Sequence, residues 1–177
     1  MEQLLFYQKL FQKIGVFYGT TSGKTEAIAD EIDFKLRKID HEIFNVADGI
    51  GEIGNYKNLI LVTPTYGVGE LQRDWENHRN ELENMDFTGK KVALVGLGNQ
   101  FTFGESFVEG IRKLYDIVTA RGGEVIGMTS NEGYLYKESE AVIGDKFVGL
   151  ALDENNQDDE TPDRVFAWIK EITKEFY

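Results

Sequence analysis

Gly19-Thr20-Thr21-Ser22-Gly23-Lys24-Thr25-Glu26 lies between the apolar run at residues 14–18 (IGVFY) and a segment of helical periodicity. Four hydroxyl residues and two glycines therefore fall where a strand ends and a helix begins. Side-chain hydroxyls and free backbone N–H groups can converge there on one small anion, and phosphate is the natural guest. The helix dipole adds attraction, and successive N–H groups supply a concave nest. A nucleotide P-loop of the form G-x-x-x-x-G-K-[ST] requires glycine at position 18, where this chain has Tyr18. The alternative is a Ser/Thr-rich turn that only caps a helix, and the surrounding chain decides between the two.

Working outward, residues 13–18 read as a first strand, and Ile28, Ile32, Leu36 and Ile39 recur as on one helix face. Residues 41–46 fit a second strand, and the Gly-rich stretch 48–54 fits turns or a short, poor helix. Residues 58–63 (NLILVT) form a continuous apolar run, as expected of a strand buried on both faces of a parallel sheet. A helix is expected over residues 71–82, with Leu71, Trp75, His78 or Arg79, and Leu82 on one side, and a further buried strand over 91–95. Val108, Ile111, Tyr115 and Val118 mark a helix that stops at Gly122-Gly123, followed by a short strand at 124–128. Residues 129–146 turn polar before strand character resumes at 147–152, which reads as a loop interrupting an edge strand. Thr161-Pro162-Asp163 then reads as N-cap, first-turn proline and first-turn acid, with Val165, Trp168, Ile169, Ile172 and Phe176 as the buried stripe. Five strands alternating with helices imply a doubly wound α/β fold, its ligand beyond the carboxyl ends of the strands, where residues 19–26 lie.

Length and composition narrow the function. The 177 residues, 41% hydrophobic, suit one domain. Nineteen basic against thirty-one acidic residues give a net charge of −12, which argues against nucleic acid or anionic membrane and for basic protein partners. Cysteine is absent, so disulfides, iron–sulfur clusters and thiol chemistry are excluded and any redox role needs a cofactor. His41 and His78, far apart in sequence, make a histidine-rich metal site improbable and read as surface residues. Residues 1–12 (MEQLLFYQKLFQ) are too short to span a bilayer and lack the basic start and cleavage site of a signal peptide, so a cytoplasmic location is expected. They form either a short amphipathic helix carrying Leu4, Leu5, Phe6, Leu10 and Phe11, or a flexible extension before a domain at 13–177.

Two further loops follow strand ends, Thr65-Tyr66-Gly67-Val68-Gly69-Glu70-Leu71 and Gly96-Leu97-Gly98-Asn99-Gln100-Phe101-Thr102-Phe103. Each joins glycines to an aromatic residue. Beside a phosphate turn, two rings can sandwich a flat heterocycle while backbone groups bond its polar edge. Phosphate plus flat ring points to a mononucleotide cofactor.

The motifs F-Y-G-T-x-[ST]-G-K-T-E, T-P-T-aromatic-x-x-G-E-L-Q-x-D-W, G-x-G-x-Q and F-V-G-L-A-L-D-E-x-N-Q resemble those of flavodoxins, specifically the long-chain branch. The resemblance runs from Lys13 to the end of the chain, and residues 129–146 resemble the long-chain insertion. It implies a five-stranded parallel sheet of order 2-1-3-4-5 with the last strand interrupted, and flavin mononucleotide (FMN) bound without a covalent link. It also implies one-electron transfer between redox proteins by a monomer with no catalytic side chain. Carried over by residue, Thr20, Thr21, Ser22, Gly23, Lys24 and Thr25 would hold the phosphate, Lys24 mainly through its backbone N–H. Thr65, Tyr66, Gly67, Val68 and Gly69, with Gly98, Asn99 and Gln100, would frame the isoalloxazine. Tyr66 stands where the long-chain family usually has tryptophan, Phe103 where it usually has the stacking tyrosine, and Asn99 where an acid is common. Asn155 either approaches the ribityl chain or sits in a solvated turn. A different class, an FMN-dependent NAD(P)H:quinone reductase, would turn over NADPH without a partner. A flavin-free regulatory module would ignore added FMN.

Overall fold

A computed structural model describes residues 12–177. In chain order the elements are β1 (Ile14–Tyr18), α1 (Lys24–Lys35), β2 (His41–Asn45), β3 (Asn58–Tyr66), β4 (Glu70–Leu71), α2 (Arg73–Asn77), α3 (Arg79–Glu83) and β5 (Lys91–Leu97). There follow α4 (Gly110–Ala120), β6 (Glu124–Ile126), β7 (Thr129–Ser130), β8 (Val142–Ile143), β9 (Lys146–Phe147), β10 (Leu150–Leu152) and α5 (Thr161–Glu175). The Gly-rich stretch after β2 forms two 3-10 turns, Val46–Asp48 and Gly51–Asn55.

The main sheet runs β2-β1-β3-β5, all parallel, and its fifth position is shared. β6 pairs with the first half of β5, Lys91 to Ala93, and β10 with the second half, Val95 to Leu97. The expected order 2-1-3-4-5 is therefore present, and the chain between β6 and β10 is the insertion in the last strand. Alternation along the strands divides the core into two faces. Ile14, Val16, Ile60, Val62, Ala93 and Val95 pack under α1 and α5 with Ile28, Ile32, Val165, Trp168 and Ile172. Phe17, Leu59, Leu61, Val92 and Leu94 pack on the other side with Trp75, Leu82, Ile111 and Leu114. Each such large apolar side chain, fully buried, stabilises the fold by roughly 1.5–3 kcal/mol.

Several elements differ from the expectation. The helix expected over 71–82 is two short helices that break at His78, which leaves helical geometry at φ −102° and ψ 7° among weak helix formers. Leu71 belongs instead to β4, which returns antiparallel along the end of β3, pairing Thr65 with Leu71 and Tyr66 with Glu70. Val108 is not helical. It is buried with φ +51°, the only non-glycine residue at positive φ among those described, and α4 begins two residues later. The buried stripe of α4 is Ile111, Leu114, Ile117 and Val118, with Tyr115 only partly covered. The expected loop at 129–146 contains a small antiparallel sheet of order β7-β9-β8, and the expected strand at 147–152 is divided between that sheet and β10. Gly149 marks the division, its Cα so close to the Leu94 carbonyl that a side chain there would collide with β5.

Thr161 is already helical, with φ −57° and ψ −47°, so it is not the N-cap of α5; its hydroxyl donates to Glu154 Oε1 instead. His41 is not a surface residue: its ring is held between Ile39 O, 2.6 Å away, and Asp33 Oδ1, 2.7 Å away, with 11% of the side chain exposed. His78 is partly covered and lies 3.2 Å from Glu81 Oε2. The apolar residues Leu4, Leu5, Phe6, Leu10 and Phe11 lie outside the described residues. Among the described residues, no helix is long and apolar enough to cross a membrane.

Candidate functional site

The carboxyl ends of β1, β3, β5 and β10 open into one cleft of about 320 Å³. Its lining comes from four connections: Ser22, Lys24 and Thr25; Pro64, Thr65, Tyr66 and Gly67; Leu97, Gly98, Asn99 and Phe103; Glu154 and Asn155. This is the switch-point position expected of a doubly wound sheet.

At one end stands the start of α1. Gly23 precedes the helix in the left-handed region, φ +88°, and its N–H donates to Thr20 Oγ1 at 3.0 Å. Glycine accepts that geometry without the clash a Cβ would bring. Ser22, Lys24 and Thr25, at the start of this 12-residue helix, where backbone N–H groups lack intrahelical partners, line the cleft. Thr25 lines the cleft while only 2% of it is exposed. The Lys24 ammonium donates to Asn155 Oδ1 at 3.3 Å, tying the turn to the segment after β10.

Tyr66 and Phe103 supply aromatic walls, 37% and 50% exposed. Tyr66 is the last residue of β3, and Gly67, Val68 and Gly69 make the hairpin tip before β4. The tip turns through φ +52° at Gly67 and +73° at Gly69, values that favour glycine. Asn99 Oδ1 accepts from Phe101 N at 3.1 Å, Thr102 N at 2.9 Å and Asn156 Nδ2 at 3.0 Å, which holds the loop that carries Phe103. Thr65 is fixed from below, its Oγ1 accepting from Gly110 N at 3.0 Å.

Of the residues singled out in the sequence, Ser22, Lys24, Thr25, Thr65, Tyr66, Gly67, Gly98, Asn99, Phe103 and Asn155 line the cleft. Thr20, Thr21, Gly23, Val68, Gly69 and Gln100 are not among its lining residues, and Val68 and Gln100 line an adjoining hollow instead. Gln100 turns its side chain toward the insertion, where Oε1 accepts from Leu135 N at 2.5 Å and Nε2 has no partner among the described residues. Pro64, Leu97 and Glu154 line the cleft as well, although the sequence does not single them out. Asp153, fully buried directly after β10, does not line the cleft but ties two of its loops together: its carboxylate accepts from the N–H groups of Gln100, Asn155 and Asn156 at 3.1 Å each. A signal for it existed: an acid directly after an apolar strand, flanked by Asn and Gln, needs several donors if it is buried.

The insertion braces the loop opposite. The Lys137 and Glu138 N–H groups donate to Gly104 O at 2.7 and 2.9 Å, and Glu140 N donates to Glu109 Oε1 at 3.0 Å. Tyr134 packs against Phe107 and Phe147 and donates its hydroxyl to Ala151 O at 2.7 Å. Burial pushes its phenol up to about 12, partly opposed by Arg164, which stacks on its ring.

Over residues 16–168 the chain matches the model of the family described as Flavodoxin. It is similar to the flavodoxin of Helicobacter pylori, 44% identical over 165 residues that span 93% of this chain and 98% of that protein. The flavodoxin of Nostoc sp. (strain PCC 7120) is 40% identical over 166 residues with the same coverage. Among solved structures, Fusobacterium nucleatum flavodoxin bound to flavin mononucleotide shares 57% identity at a TM-score of 0.92, over 94% of this chain and 99% of that one.

Proposed function

The chain belongs to the flavodoxin family, and on that ground we infer that it is a carrier of single electrons between redox proteins, working through non-covalently bound FMN. It is an electron-transfer protein rather than an enzyme. The flavin supplies the redox chemistry, and the protein binds it, orients it and sets the polarity around it.

The residues present suit that cofactor. The carrying observation is one cleft that joins the hydroxyl-lined start of α1 to two aromatic walls, Tyr66 and Phe103. A phosphate needs N–H and O–H donors, and a tricyclic ring needs flat apolar faces. We assign the phosphate to residues 20–25 and the ring to Tyr66, Gly67 and Phe103 with the backbone of residues 98–100. Val68 and Gly69 shape the hairpin tip, and Asn155 reaches the connecting chain. Tyr and Phe in place of the usual Trp and Tyr still offer π faces of adequate size.

The domain is taken as residues 13–177 after an extension at 1–12. The preferred partners are redox proteins with basic docking surfaces, supported by the net charge of −12. A monomer in the cytoplasm completes the proposal; within one chain, all four cleft-forming connections are present. The decisive experiment titrates flavin-free protein with FMN and then reduces the complex stepwise while recording its visible spectrum. Saturable binding at one FMN per chain and reduction in two one-electron stages are expected. A protein that leaves the FMN spectrum and fluorescence unchanged refutes the proposal, and NADPH turnover without a partner reductase makes it an enzyme instead.

A further inference from the structure

Gln72 lies outside the cleft, 1% exposed, yet its amide joins the two halves of the site. Its Oε1 accepts from Asp74 N at 3.1 Å and Trp75 N at 3.3 Å, capping α2. Its Nε2 donates to Thr20 O at 3.2 Å and Thr21 Oγ1 at 3.3 Å, and to Asp74 Oδ2 at 2.8 Å. Asp74 orients the amide, and the hydroxyl-rich turn receives its remaining hydrogen-bonding capacity. Gly19 makes this approach possible: a Cβ there would overlap Gln72 Oε1 and come within 2.6 Å of Trp75 Cδ1. Val62 O, in β3, accepts both Gly19 N and Trp75 Nε1 at 3.1 Å, locking the same junction from below.

We propose that Gln72 is a positioning residue for the phosphate end of the site, registering residues 20–21 against the hairpin that carries Tyr66 and Gly67. Only an amide has both functions required. A glutamate keeps the cap but turns an acceptor toward Thr20 O and the Asp74 carboxylate. A leucine abandons the cap and the turn alike and leaves buried polar groups unpaired. The inference rests on the reading that this cleft holds FMN.

The test compares FMN with riboflavin, which has the same ring but no phosphate, on flavin-free wild type, Gln72→Asn and Gln72→Glu. Asparagine is a good N-cap, so it preserves α2 while its amide falls one methylene short of the turn. Fluorescence titration is expected to show FMN affinity falling by roughly five- to thirtyfold in both variants. Riboflavin affinity should stay within about twofold, so the preference for FMN shrinks. Urea unfolding of the flavin-free proteins reports any general loss of stability, and Gln72→Asn serves if Gln72→Glu does not fold. Equal losses for both flavins, or lost stability with both affinities unchanged, would make Gln72 a purely structural residue and overturn the proposal. If wild type itself fails to bind FMN, the cofactor reading falls and this inference with it.

Discussion

At Asn99 the side chain already accepts three hydrogen bonds and donates none among the described residues. Asn99→Asp should therefore keep the loop in place while adding one negative charge to the cleft wall. At ~8 Å and an effective dielectric of ~40 that charge opposes an incoming electron by about 1 kcal/mol, roughly 45 mV for a one-electron step. The second reduction potential is expected to fall by that order in a stepwise titration, and an unmoved potential would place Asn99 away from the flavin. Thr25 allows a different test, since it is nearly buried and lines the cleft. Thr25→Ala should weaken FMN binding by roughly 1–3 kcal/mol, the scale of an unmet buried polar group, read directly by titration. Gly67, at φ +52°, carries a conformational constraint instead. Gly67→Ala should lower the stability of the flavin-free protein by about 1 kcal/mol in urea unfolding, with the Glu70 carboxylate, 2.9 Å from the added Cβ, moving aside.

At the scale of elements, the packing of the insertion can be read through the titration of one of its tyrosines. The Tyr134 phenol titrates near 12 in the fold against about 10 in an unfolded chain, so the fold favours the neutral form. Its contribution to stability is complete below pH 10 and is lost as pH rises from 10 to 12. Tyr134→Phe should be less stable than wild type at pH 8 by about 1 kcal/mol, the scale of one hydrogen bond, and the gap should narrow as pH passes 10. Unfolding midpoints of both proteins at pH 8, 10 and 11 measure this. Much of the main sheet is legible from the sequence because the middle of a strand buried on both faces must be apolar, as residues 59–62 are between the buried polar Asn58 and Thr63. The insertion is not, because its strands are two residues long and held by aromatic packing between distant residues, Phe107 with Tyr136 and Phe147. The register of α4 is ambiguous in the sequence for a related reason: Val108, Ile111, Tyr115 and Val118 satisfy helical spacing as well as the observed stripe does, and the two share Ile111 and Val118. In the site, residues that line the cleft announce themselves as hydroxyls, glycines and aromatics at strand ends. Gln72 and Asp153 do not, since their roles depend on partners about 50 residues away.

Across the whole molecule, charge decides how a partner arrives. Several described cations are paired locally, among them Lys35 with Glu31, Arg112 with Asp116 and Arg164 with Glu160, so much of the positive charge is neutralised within a few ångströms. The excess of acids then acts as a long-range negative field, which is expected to steer basic proteins inward. The surface beside the cleft differs in character. Val68, Phe101, Phe103 and Leu135 are 85%, 62%, 50% and 70% exposed, and they surround a hollow that shares Gly67 and Phe103 with the cleft. Steering and final contact should therefore respond differently to salt. Steering is screened beyond a Debye length of ~8 Å at physiological ionic strength, whereas apolar contact is not. With a basic redox partner, the second-order rate of electron transfer should fall by roughly tenfold or more between low and high salt and then level off. Val68→Ser should lower the plateau at high salt while leaving the slope at low salt unchanged, because it alters contact area and not charge. Stopped-flow rates over a salt series for both proteins separate the two contributions. A rate independent of salt would remove the electrostatic part of the argument, and a rate that keeps falling without a plateau would remove the apolar part.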